Sequence, residues 1–111
     1  MSLFSMITSP WRRKTRFEDL ALQIAHSQWV KVWDRLSDQV WQMSRHERRG
    51  YIRARGALLI QEAVEQTIRR RQLPHVSMVK LYAHTMDQVV SLVVEHMADC
   101  QPHAKAHRRV A

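Results

Sequence analysis

The chain has 111 residues, enough for one small domain with a modest core. Its apolar fraction of 45% and charged fraction of 25% exclude wholesale disorder, and with Gly at 2 and Pro at 3 little is left to build hairpin turns. One Cys excludes an internal disulfide, and no apolar run approaches the ~18 residues of a membrane span.

The net charge of +8 is unevenly laid out. Residues 1–16 carry Arg12, Arg13, Lys14 and Arg16 with no acid, and residues 101–111 carry Lys105, Arg108 and Arg109. Residues 44–73 set eight arginines against Glu47, Glu62 and Glu65. The two stretches flanking that segment, 17–43 and 74–100, are each net acidic, so part of the central charge has partners inside the chain. Residues 1–11 lack the basic start of a secretory signal, and a cytoplasmic location is expected.

The composition predicts an all-α fold: a bundle of three long helices with short irregular N- and C-terminal tails. The expected organisation is an N-terminal arm over 1–14, a helical bundle domain over 15–100 and a basic C-terminal tail over 101–111. In the arm, Leu3, Phe4, Met6, Ile7 and Trp11 precede the bases. That pattern suits docking on a partner protein or on an anionic membrane surface.

The first helix is predicted to start at Thr15, where Thr-Arg-Phe-Glu reads as a capping box. Its apolar face runs from Phe17, Leu20 and Ile24 into Trp29, Val32, Trp33, Leu36, Val40 and Met43. The face drifts, which requires a bent helix or a break near Ser37. Val30 and Trp41 fall off this stripe and nearly superimpose on a helical wheel.

A second capping box, Ser44 to Glu47, opens the middle helix. Apolar residues on two sides of it place it in the middle of the bundle, and Gly50, Ala54, Gly56 and Ala57 would let a neighbour approach. Alternatively, Gly56 marks a kink. The helix is predicted to end in Arg69-Arg70-Arg71 before Pro74. The third helix is expected from a Ser77 cap to about Cys100, ahead of Pro102. Its apolar arc exceeds half the circumference, wider than one buried face.

That surplus predicts exposed apolar surface, with Val30, Trp41, Leu81 and Leu92 as the contact residues. The expected function is that of a small, basic, non-enzymatic helical interaction protein, a homo-oligomer or a subunit or adaptor of a larger assembly. Its partner would be itself or another protein. Arg45, Arg49 and Arg53 repeat at i,i+4 beside Arg48 and Arg55, and this stripe carries the alternative of a DNA- or RNA-binding helix. The competing account of the stripe is pairing within the molecule.

A third reading concerns His96, Cys100, His103 and His107, whose residue types and spacing suit a structural zinc. The wheel divides them. His96 and Cys100 belong to the apolar arc of the third helix, while His103 and His107 follow Pro102 in a basic segment. No metal and no cofactor are therefore expected. There is no Gly-rich phosphate loop and no His-Glu-x-x-His, so no catalytic residues are assigned.

Overall fold

The computed structural model describes the backbone of residues 2–110 and the side chains of residues 16–100. The arm over 1–14 and the tail over 101–111 lie outside the described side chains. Three helices build the fold: α1 (Ser2–Asp34), α2 (Arg45–Arg71) and α3 (Met78–Val110), with a short 3₁₀ helix at Asp38–Gln42 between the first two. The chain is an all-α three-helix bundle.

Both outer helices extend past the bounds expected at Thr15 and Cys100. The signals used there are permissive: a Thr-x-x-Glu pattern also fits a helix interior, and a proline disfavours the helical region before it without forbidding it.

The drift of the α1 stripe is resolved by a break. The amides of Arg35 and Leu36 donate to the carbonyls of Val32 and Trp33, a tightened last turn, and Ser37 then takes an extended backbone. The 3₁₀ turn that follows buries Val40 and reverses the chain. Ser44 caps α2 as its sequence predicts. Its hydroxyl accepts from the Glu47 amide at 3.2 Å and donates to the Glu47 carboxylate at 3.0 Å.

At the other end of α2, Gln72 adopts a left-handed conformation with φ of 52°. Its amide and that of Leu73 close on the carbonyls of Arg69 and Ile68, satisfying groups the helix end leaves open. Ser77 caps α3, accepting from the Lys80 amide at 3.3 Å.

The directions of the helices follow from their contacts. Arg71 reaches Gln23 and a Cβ on Gly56 would meet Val32, so α1 and α2 are antiparallel. Phe17 packs on His84 and Trp29 on His96, so α1 and α3 run parallel. The core threads all three helices through Leu20, Ile24, Val32, Ile52, Ile60, Val64, Leu81, Met86, Val89, Val90, Val93 and Met97.

Here the structure corrects the sequence reading twice. Buried α2 residues lie on one side only, at Ile52, Gly56, Ile60 and Val64, while Leu58 is 72% exposed. The element in the middle is α3, whose wide apolar arc is covered by α1 and α2 together. A helix wedged between two neighbours buries more than one face, which is why its girth exceeds that of a surface helix.

Candidate functional site

The four expected contact residues part company in the fold. Leu81 is 0% exposed and sits inside the monomer core, so it cannot meet a partner without unfolding α3 from its neighbours. Trp41 and Leu92 are half-buried and packed against that core. Val30 alone stands out, at 47% exposure. Periodicity marks a residue as off the main stripe; it cannot say whether a second helix covers the side it points to.

Val30 belongs to an edge of α1 that includes residues the sequence analysis left unassigned. Leu22 is 37% exposed, and helical spacing places it within about 40° of Trp29 and Trp33. Beside Leu22 the surface dips into a shallow, open depression lined by Asp19, Leu22, Gln23, His26 and Ser27. The signal was present in the sequence as an i, i+4, i+7, i+11 series from Leu22 through His26 and Trp29 to Trp33. It was hidden because this series runs alongside the stronger core stripe.

Where this edge meets α3, aromatic rings cluster. The His96 imidazole lies 4.8 Å from the Trp33 ring, edge to face, and 5.3 Å from the Trp29 ring. Trp33 in turn meets Trp41 edge to face at 6.2 Å. Such perpendicular contacts suit the charge distribution of aromatic rings and hold the half-buried indoles in place.

The Cys100 thiol approaches His96 Nε2 at 3.7 Å, one helical turn away, which satisfies the imidazole nitrogen. Among the described residues no three His, Cys, Asp or Glu side chains converge. His103 and His107 lie outside them.

The arginine stripe of α2 is divided among several tasks. Arg53 pairs with Asp87 of α3 at 2.7 Å, with both side chains substantially exposed. Arg48 donates to the carbonyls of Val40 (3.2 Å) and Met43 (3.5 Å), tying α2 to the 3₁₀ turn. Arg55 lies over the Tyr51 ring at 5.5 Å, within cation–π range. Arg45 and Arg49 form no ion pair among the described residues. The pairing that the acidic flanks suggested is thus found for Arg53.

Tyr51 itself is structural. Its hydroxyl oxygen accepts from the Ser37 amide at 2.9 Å, pinning the chain where α1 ends. That hydrogen bond, with the nearby Arg55 guanidinium, holds the Tyr51 phenol below its ordinary value of 10.0.

The fold and surface define a class, a three-helix bundle in which α1 runs parallel to α3 and antiparallel to α2, with Leu22 and Val30 exposed along an edge of α1. Comparison with protein-family models, curated proteins and solved structures finds no match. No helix among the described residues is long and apolar enough to cross a membrane.

Proposed function

We propose that the protein works by association, as a homo-oligomer or as a helical subunit of a larger assembly, and that the α1 edge is its contact surface. The observation carrying this reading is the pairing of exposed Leu22 and Val30 with half-buried Trp29 and Trp33 along one side of one helix. Aliphatic side chains left in water beside anchored indoles gain by being covered, and tryptophans held rigid contribute large contact area at small entropic cost. Asp19, Gln23 and His26 supply a polar rim.

The test is mass in solution by light scattering at micromolar concentration. The wild type is expected above monomer mass, and the double variant Leu22→Asp/Val30→Asp at monomer mass, with its helical circular dichroism unchanged because both positions are exposed. A monomeric wild type that also captures no protein through this edge would sink the proposal.

A further inference from the structure

A second surface lies at the turn between α2 and α3 and adjoins the α1 edge, because exposed Arg71 donates to the Gln23 side-chain oxygen at 3.1 Å. The stretch from Arg69 to Lys80 reads Arg-Arg-Arg-Gln-Leu-Pro-His-Val-Ser-Met-Val-Lys: four bases, no acid, and apolar residues at Leu73, Pro74, Val76, Met78 and Val79. It forms the turn between α2 and α3 and so caps one tip of the bundle. Val79 is 77% exposed, and Arg70, Arg71 and Lys80 are exposed as well.

Arg69 is also open to solvent, its side chain 79% exposed, with Glu65 at a distant 4.0 Å. Because α1 is parallel to α3 and Phe17 touches His84, which lies one turn along α3 from Lys80, exposed Arg16 belongs to the same end of the bundle. The carboxylates nearby are Glu18 and Asp19 of α1 and Glu65 of α2.

We infer that this turn, with its exposed Arg69, Arg70, Val79 and Lys80, docks on an anionic lipid surface. Clustered bases gain about 1 kcal/mol each beside acidic headgroups. An exposed aliphatic side chain gains further by entering the boundary between headgroup and acyl chain. A nucleic-acid backbone would use the arginines and leave Val79 in water, so the exposed aliphatic side chain favours lipid. No span is required. The contact is peripheral and reversible.

The experiment is flotation of the full chain with vesicles of phosphatidylcholine alone or mixed with phosphatidylglycerol, at low and physiological salt, with duplex RNA in a parallel arm. Binding is expected only to the anionic vesicles, weakening as salt rises. Arg69→Gln/Arg70→Gln, which leaves the Arg71–Gln23 contact in place, is expected to weaken it about twenty-five-fold, about five-fold per arginine. Val79→Asp is expected to weaken it at least about ten-fold. That variant keeps its fold, since an acid in the first turn of α3 suits the helix dipole, and circular dichroism verifies it.

Equal binding to neutral vesicles overturns the inference. So does anionic binding that neither variant changes, which would assign it to the terminal bases. RNA binding without vesicle binding overturns it in favour of a nucleic-acid phosphate site.

Discussion

Thr85 has a fully buried hydroxyl that no partner meets among the described residues. Two other hydroxyls in this protein show the ordinary solution: Thr67 donates to the Ala63 carbonyl at 2.8 Å and Ser27 to the Ile24 carbonyl at 2.7 Å. An unpaired buried hydroxyl costs about 1–3 kcal/mol of desolvation. Thr85→Val keeps the shape and removes the polar atom. It is expected to stabilise the protein by about 1 kcal/mol, which thermal unfolding would record as a rise of about 4–8 °C. An unchanged or lower midpoint would mean that the hydroxyl is satisfied in solution. Nothing in the sequence distinguishes Thr85 from a surface threonine except its place on the α3 wheel, which lies on the apolar arc between Leu81 and Val89.

At the scale of the helix, the two glycines of α2 separate two readings that residue type alone leaves merged. A Cβ on Gly50 would meet nothing within 4 Å, whereas one on Gly56 would lie 3.1 and 3.3 Å from the two methyls of Val32. Gly56 therefore serves close approach, one of the two options its sequence context offered, and Gly50 does not. Gly50→Ala is expected to stabilise α2 by about 0.5–1 kcal/mol, the ordinary gain at an exposed helical glycine. Gly56→Ala is expected to lose about 1 kcal/mol, because Val32 is fully buried and its branched side chain has one comfortable rotamer. Urea unfolding of the two variants decides the pair; a gain at Gly56 equal to that at Gly50 would show that Val32 yields.

The caps divide in the same way. Ser44 and Ser77 were legible because each hydroxyl acts within its own helix turn. The left-handed Gln72 was not, since that conformation is ordinarily taken by glycine. It is held by the two amide bonds that close the turn and by Leu73 packing back on the core.

For the molecule as a whole, the decisive relation is the place of α3 between two neighbours. It takes Leu81 from a candidate contact surface into the core, and the two assignments predict different outcomes for one substitution. Leu81→Ala is expected to lower unfolding free energy by about 2–5 kcal/mol while leaving the mass in solution unchanged under native conditions. A change in mass at unchanged monomer stability would return Leu81 to an interface. The same arrangement closes His96 of α3 against the Trp29 and Trp33 indoles of α1. It also sets Arg53 on Asp87, 34 residues away in sequence, an exposed pair worth under about 1 kcal/mol that records the α2–α3 register rather than creating it.

By itself the sequence determined what acts over one or two turns of chain. It specified helices rather than strands, the serine caps of α2 and α3, an apolar stripe on each helix, and a bend or break near Ser37 without choosing between them. Those features depend on side chains and backbone within about four residues, and a linear pattern contains them completely. Only the tertiary structure decided which stripe meets which, and hence what stays exposed. A 100° periodicity gives each side chain a direction but no neighbour. Whether Leu81, Val30 or Val79 faces a helix or water depends on residues tens of positions away. The two surfaces offered for partners, the α1 edge and the basic tip, emerge once the helices have covered the rest.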